Sequence, residues 1–233
     1  MRLPESRLAV LVSLPRNETA LAEAASRAGA DGLKVHTNVR HRASGTAFGP
    51  LDAERERLRG ILALGVPTGL VVGAAGSVSI AEMVAAREMG FDYFDVYAAD
   101  APAGYVEACG PVTPMVALGP GDGPSQARAL ARRGSRALEL STLEPERYGT
   151  PLTLATLAKL EAVASAVDIP VIVPSQHALL PDDLALLREA GAAAVLLGAV
   201  VTGADTAEFG ARIAPYVAAA LQAGDVKWGI PAR

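Results

Sequence analysis

Residues 34–49, KVHTNVRHRASGTAFG, gather groups that can move protons and bind anions within one short stretch. Lys34 and His36 stand two residues apart, so both side chains project from the same face of an extended strand. The chain contains 18 arginines but only three lysines, so lysine is not its routine cation. Unlike arginine, a lysine can lose its proton inside a protein, which suits Lys34 to proton transfer or to a Schiff base with a carbonyl substrate.

Two acidic residues are the natural partners of Lys34. Asp95 lies in YFDVY (93–97) and Glu139 in ALELS (137–141), and each acid is flanked by apolar residues. One carboxylate can take a proton from carbon, while the lysine returns it or stabilises the enolate. Two carboxylates near one lysine raise the pKa of the lysine, which favours an acid or electrostatic role over a nucleophilic one. A buried ion pair with a purely structural role is the alternative interpretation.

The elements that carry these residues alternate along the whole chain. Apolar segments separated by helical patterns predict strands at residues 8–14, 32–37, 68–73, 93–97, 112–117, 137–141, 170–174 and 194–198. Eight strands alternating with eight helices predict an α/β fold, a single (β/α)8 TIM barrel that forms one domain over residues 1–233. An open doubly wound sheet is the alternative, but the first strand exits into SLPRNETA, without the glycine-rich loop of that fold.

In such a barrel the site lies at the carboxyl ends of the strands. Alternation along the strands points Lys34 and His36 into the barrel from the second strand, Asp95 from the fourth and Glu139 from the sixth. Because alternate strands share layers of the interior, Lys34, Asp95 and Glu139 are expected to meet. We predict that these three residues are catalytic, with His36 assisting them.

The connection over residues 37–51 is the longest in the chain, and long loops in compact domains are often functional. We predict a substrate loop that includes Asn38, His41, Arg42, Ser44 and Gly45. The spacing of His36 and His41 matches no recognised metal site, and we predict neither a metal nor a cofactor.

The segment 169–203 reads IPVIVPSQHALLPDDLALLREAGAAAVLLGAVVTG. It resembles the end of the phosphate-binding group of TIM barrels, which includes indole-glycerol-phosphate synthase, thiazole synthase and several phosphosugar isomerases. In that group a serine turn after the seventh strand precedes a Pro-Asp/Glu-Asp helix start, and the eighth strand ends at glycine. The resemblance implies that backbone N–H groups and a short helix hold a phosphate. On this resemblance we predict that Ser175, Gln176, His177, Gly198 and Ala199 bind the phosphate.

The chain departs from that group at one point. The group commonly has Gly-Ile after the serine, whereas this chain has Gln176 and His177. Without the glycine, either the backbone is kept away from the phosphate or these two side chains contact the ligand themselves.

Composition excludes some classes of protein. The net charge of −4 and the lack of a basic cluster argue against a nucleic-acid partner, and no apolar run reaches the length of a membrane span. A single cysteine, Cys109, and a first segment that looks like a strand rather than a signal peptide indicate a cytoplasmic protein. The final segment VKWGIPAR holds the single tryptophan, Trp228, and is a candidate contact between subunits of a homo-oligomer.

Together these features predict an enzyme that acts on a small phosphorylated metabolite at a carbon next to a carbonyl group. Isomerisation, epimerisation and aldol-type lyase or synthase action all remain open. The alternative is a non-catalytic barrel that binds a phosphorylated ligand or serves in an assembly. An open pocket beside Lys34 favours catalysis, whereas a closed ion pair favours the alternative.

Overall fold

A computed structural model describes residues 3, 4, 6–74 and 76–222 of the chain, so VKWGIPAR lies outside the described residues. Eight parallel strands close into a barrel in the order β1-β10-β9-β8-β7-β6-β5-β2. They are β1 (Ala9–Ser13), β2 (Gly32–His36), β5 (Thr68–Val71), β6 (Tyr93–Tyr97), β7 (Thr113–Leu118), β8 (Ala137–Leu140), β9 (Val171–Pro174) and β10 (Ala194–Leu197). The (β/α)8 TIM barrel is therefore confirmed.

Helices follow the barrel strands along the chain, and the last two of them come after the last strand. They are α1 (Thr19–Arg27), α2 (Leu51–Leu62), α3 (Ile80–Arg87), α4 (Tyr105–Cys109), α5 (Pro124–Arg132), α6 (Leu154–Ala164), α7 (Asp183–Glu189), α8 (Ala199–Thr202) and α9 (Phe209–Gln222). Side-chain caps start two of them, because Ser79 accepts from the N–H of Glu82 and Thr153 accepts from that of Thr156. No helix in the described ranges is long and apolar enough to cross a bilayer.

Alternation along the strands separates two hydrophobic clusters. Outward-facing residues such as Val35, Phe94 and Leu138 pack against the helices in the larger cluster. The smaller cluster fills the lower barrel interior with Ala9, Leu11, Tyr93, Met115, Ala137, Ile172, Ala194 and Leu196. Met115 of the fifth barrel strand and Ala194 and Leu196 of the eighth belong to this interior cluster. Polar side chains occupy the barrel interior between this cluster and the carboxyl ends of the strands.

One aromatic ring closes the interior beneath those polar groups. Tyr93 is fully buried, and its hydroxyl donates to the carbonyl oxygen of Leu33 at 3.1 Å. Its register partner on β5 is Gly69. A Cβ atom at Gly69 would lie 2.0 Å from the Tyr93 ring, so the ring fits there only because position 69 has no side chain.

The connection after β2 is partly ordered as a hairpin. Its strands are β3 (Val39–Arg40) and β4 (Ala47–Phe48), paired antiparallel as Val39 with Phe48 and Arg40 with Ala47. Asn38 precedes it with φ of 53°, the left-handed conformation that asparagine tolerates better than most residues. The hairpin brings residues 39–43 to the carboxyl ends of the barrel strands.

Candidate active site

A cavity of about 420 Å³ opens at the carboxyl ends of the barrel strands. Lys34, His36, Asp95 and Glu139 lie against it, together with residues of the hairpin and of the loops that follow β6 to β10. This is the end of the barrel at which enzymes of this fold carry their sites. All four residues predicted to be catalytic therefore border one cavity.

The centre of the cavity floor is an ion-paired set of three residues, Lys34, Asp95 and Glu139, called here the Lys34 triad. Lys34 Nζ lies 3.0 Å from Asp95 Oδ2 and 2.5 Å from Glu139 Oε2. The exposed fractions of the three residues are 6%, 3% and 5%. The strands β2, β6 and β8 thus bring three charges together, although Asp95 and Glu139 lie 61 and 105 residues after Lys34 in the chain.

The charges within the Lys34 triad set its protonation. Burial alone would lower the pKa of Lys34, but the charges of Glu139 and Asp95 outweigh it and raise the pKa well above its ordinary value. Burial raises the pKa of Glu139 to about 7, with Lys34 opposing this and the Asp95 charge adding to it. Lys34 is therefore a fixed ammonium group at neutral pH, whereas Glu139 can gain or lose a proton there.

One oxygen of the triad has no hydrogen-bond partner among the described residues. Asp95 uses Oδ2 for Lys34, while its Oδ1 is buried without a donor. A buried unpaired carboxylate oxygen costs free energy unless a donor reaches it. Lys34 has three N–H bonds and directs two of them to the carboxylates.

His36 borders the floor beside the triad. Its Nε2 lies 3.4 Å from the hydroxyl oxygen of Ser13, and its Nδ1 is buried without a partner in the described structure. The ring stacks on Phe48, with centroids 4.7 Å apart, and lies 4.6 Å from the ring of His41. Burial, and then the nearby His41 and Lys34, lower the pKa of His36 well below its ordinary value. The imidazole is therefore neutral at neutral pH.

The predicted substrate loop divides into residues at the cavity and residues that shape the hairpin. His41 and Arg42 line the cavity. Burial and the charge of Lys34 lower the pKa of His41 to about 4. Ser44 supports His41, with its hydroxyl oxygen 2.9 Å from Nδ1, and Gly45 adopts φ of 71° in the turn. Asn38 instead points to helix α3, where it donates to Glu82 at 2.6 Å.

The predicted phosphate-binding residues also divide. Ser175 and Gly198 line the cavity, and the hydroxyl oxygen of Ser175 accepts the backbone N–H of Gly198 at 2.7 Å. Ala199 begins the short helix α8 immediately after Gly198. His177 does not line the cavity; its Nε2 lies 2.9 Å from the hydroxyl oxygen of Thr156 on α6. In the turn Ser175–His177, the serine therefore lies at the cavity, next to the start of α8. His177 is held outside the cavity by its contact with α6.

Gln176 lines the cavity but is engaged with neighbouring backbone. Its Oε1 accepts the N–H groups of Thr142 and Leu143 at 2.8 and 3.1 Å. Its Nε2 donates to the hydroxyl of Tyr148 at 3.0 Å. The side chain thus fixes the loop that follows β8 and orients a tyrosine that itself borders the cavity.

Sequence reasoning missed some residues at the cavity. Tyr148 follows a 3₁₀ helix, Pro145–Arg147, in a loop that carried no functional signal. Tyr97 also lines the cavity, and its hydroxyl oxygen lies 2.8 Å from that of Ser141, which does not line it. Arg40 of the hairpin also lines the cavity. For Tyr97 and Ser141 the signal was the strand alternation itself.

The described residues contain no group of three or more His, Cys, Asp or Glu side chains placed to hold a metal ion. The polar atoms of the floor instead form a charge-paired set that can hold, give and take protons. This chemistry fits a carbonyl substrate whose neighbouring C–H bond is acidic.

Comparison with known proteins shows the fold. Tryptophan synthase from Mycobacterium tuberculosis superposes with a TM-score of 0.73 and 14% identity, over 92% of this chain and 93% of that one. Thiamine phosphate pyrophosphorylase from Pyrococcus furiosus gives 0.68 and 13%, over 93% and 96%. Phosphoribosyl anthranilate isomerase from Thermus thermophilus gives 0.67 and 16%, over 92% and 99%. No protein-family model and no curated protein sequence matches the chain.

Proposed function

We propose that the protein is an enzyme that transfers a proton at a carbon next to the carbonyl group of a small phosphorylated metabolite. The observation that carries this proposal is the Lys34 triad at the floor of an open cavity, with the pKa of Glu139 raised to about 7. Fixed ion pairs in a barrel floor need no such opening, and barrel interiors are ordinarily filled by branched apolar residues.

Glu139 is the general base in this proposal. Its carboxylate takes the proton from the carbon, the C–H electron pair forms a C=C bond to the carbonyl carbon, and the C=O π pair moves onto the oxygen to give an enolate. The Lys34 ammonium stabilises that negative charge with the N–H that neither carboxylate occupies. In an isomerisation Glu139 then returns its proton to the former carbonyl carbon, while a proton moves from the hydroxyl group of the deprotonated carbon to the former carbonyl oxygen. In an epimerisation a proton returns instead to the original carbon, on its opposite face. An aldol-type lyase or synthase would use the same enolate with C–C cleavage or formation.

A Schiff base on Lys34 is disfavoured, because that chemistry requires an uncharged amine. Glu139 and Asp95 hold the pKa of Lys34 above its ordinary value, so the amine stays protonated. His36 assists as a neutral imidazole beside the triad, where it can hydrogen-bond an oxygen of the substrate.

The phosphate is assigned to the edge of the cavity formed by Ser175, Gly198 and Ala199. Support comes from the positions of Ser175 and Gly198 at the cavity and from the start of α8 beside them. Gln176 and His177 act here by positioning the turn, since their side chains bond to neighbouring loops and to α6. Arg42 of the hairpin adds a cation at the same cavity. The fold shared with thiamine phosphate pyrophosphorylase and phosphoribosyl anthranilate isomerase supports this class by analogy.

A second candidate function is a non-catalytic barrel that binds a phosphorylated ligand. The observation that favours it is the double ion pairing of Lys34, whose exposed fraction is only 6%. Binding and catalysis differ in one measurable way, because only catalysis exchanges carbon-bound hydrogen with the solvent.

The test has two stages. A thermal-shift panel of sugar phosphates, triose phosphates and inorganic phosphate, with unphosphorylated counterparts, identifies ligands of the folded state. A ligand at a hundred times its Kd adds about 2.7 kcal/mol to the free energy of unfolding. Compounds that raise the Tm are then incubated in D₂O and followed by ¹H NMR. Loss of a C–H signal next to the carbonyl supports the enzyme; binding without exchange supports the second candidate. No shift with any phosphorylated compound contradicts both.

A further inference from the structure

We infer that Asp95 selects the substrate: its Oδ1 accepts a hydrogen bond from a hydroxyl group on the carbon adjacent to the carbonyl carbon. The substrate class is then an α-hydroxycarbonyl compound. The inference rests on the proposed function, since it takes the carbonyl oxygen to lie at Lys34.

The first observation is the unsatisfied oxygen itself. Asp95 Oδ1 is buried and has no hydrogen-bond partner in the described structure, while Asp95 borders the cavity. Its other oxygen is held by Lys34 at 3.0 Å. A carboxylate oxygen is an acceptor only, so the group that satisfies it must be a donor.

Glu139 is the one neighbour within the triad that competes for this role. When Glu139 is protonated, its hydrogen bond to Asp95 raises the pKa of Glu139 further. When Glu139 is ionised, it has no proton to give. The oxygen is therefore without a donor in the protonation state in which Glu139 acts as a base, which is the state that binds substrate.

Geometry makes the donor a neighbour of the reacting carbonyl. Lys34 and Asp95 are directly hydrogen-bonded, so groups bound to Lys34 Nζ and to Asp95 Oδ1 lie side by side. Oxygens on adjacent carbon atoms of a small molecule fit that arrangement. A hydroxyl is favoured over a C–H or methyl group because an apolar group would leave the oxygen buried and unpaired.

A second unsatisfied atom points to the same class of ligand. Nδ1 of His36 is also buried without a partner, and His36 borders the same floor. Two polar atoms in need of partners make the floor unsuited to an apolar group. They match the polar end of a substrate, with its phosphate directed to Ser175 and Gly198.

The test compares two ketones that differ in one hydroxyl group. Dihydroxyacetone phosphate carries a hydroxyl next to the carbonyl, and hydroxyacetone phosphate has hydrogen in its place. We expect the wild-type protein to bind the hydroxyketone at least about tenfold more tightly by isothermal titration calorimetry, because a site built around a substrate hydroxyl rejects the analogue without it. Equal affinities, or no binding of either ketone, overturn the inference and need no variant to interpret.

Two variants separate this inference from the proposed function. In Asp95→Asn the amide oxygen remains on Lys34, so an N–H takes the place of Oδ1 and the preference for the hydroxyketone should disappear. Glu139→Ala removes the base without placing a new donor beside Asp95, so the preference should survive while deuterium exchange is lost. If exchange proceeds in wild type without any preference between the ketones, the inference fails and the proposed function stands. If the preference is found but no compound of the panel exchanges, the proposed function fails and the selection by Asp95 stands.

Discussion

The Lys34 triad and the turn Ser175–His177 are both sets of three polar residues at the carboxyl ends of barrel strands, yet they use their hydrogen-bonding groups differently. In the triad, Asp95 Oδ1 is left unpaired beside the cavity. In the turn, Gln176 bonds to backbone N–H groups and His177 bonds to α6. Both sets are buried. Residue type and burial therefore do not distinguish residues proposed to take part in the reaction from residues that hold loops in place. The hydrogen-bond partners of each residue do distinguish them.

Among substitutions in the triad and in the turn, replacement of Lys34 should have the largest effect on the unfolding free energy and on proton exchange. Lys34→Met leaves two buried carboxylates side by side, and breaking a buried ion pair in this way costs about 3–5 kcal/mol of unfolding free energy. The rate of proton exchange should fall by about 10³-fold or more, since Lys34 no longer stabilises the enolate charge and no longer holds Glu139 in place. Chemical denaturation and ¹H NMR in D₂O measure the two effects.

Lys159 provides the matched control for that substitution. It is half-buried, outside the cavity, and donates to the carbonyl oxygen of Pro120 at 2.7 Å. Lys159→Met should change the unfolding free energy by about 1 kcal/mol and leave exchange unaltered. Full activity in Lys34→Met would refute the catalytic assignment of Lys34.

The next effect concerns Glu139 and pH. Glu139→Gln should lower the exchange rate by about 10²- to 10⁴-fold, the usual contribution of a general base. In the wild type the rate should rise with pH through about 7, as Glu139 ionises. A wild-type rate that is flat between pH 5.5 and about 8.5 would contradict the role of Glu139 as the base.

The same residue has a predictable effect on stability. The folded pKa of about 7 lies above the ordinary value of 4.5, so the folded state binds this proton more tightly than the unfolded state. The stabilisation is complete below pH 4.5 and is lost as pH rises to about 7. Urea denaturation across this range should therefore show a decline in wild type that is reduced in Glu139→Gln.

The smallest effect on chemistry is expected in the turn. Gln176→Ala leaves the N–H groups of Thr142 and Leu143 without their acceptor, at a cost of about 1–3 kcal/mol in unfolding free energy. Exchange, measured well below the Tm, should fall by less than about tenfold, because no proton passes through Gln176. A loss as large as that of Glu139→Gln would place the turn in the chemistry and remove the contrast with the triad.

Much of the barrel could be predicted from the sequence, because strand alternation is local. The predicted strand 93–97 is unchanged in the structure, and 8–14 and 68–73 shorten to Ala9–Ser13 and Thr68–Val71. The meeting of Lys34 with two acids followed from alternation and from the sharing of layers between alternate strands.

The loops could not be predicted in the same way. The hairpin β3–β4 has strands of only two residues, and Phe48 reaches its place by stacking on His36 from another element. Tyr148 is placed by a hydrogen bond from Gln176, which lies 28 residues away. Such positions depend on long-range partners, and no local pattern encodes them.

The ring of Tyr93 beneath the triad has a consequence for isotope labelling. Because, among the described residues, this ring and the apolar cluster around it are buried in the barrel interior, we expect protons on Glu139 to exchange with solvent through the cavity mouth. A substrate that fills the mouth slows that exchange. A proton taken from carbon then tends to return to the same molecule, so product formed in D₂O should retain part of its original hydrogen.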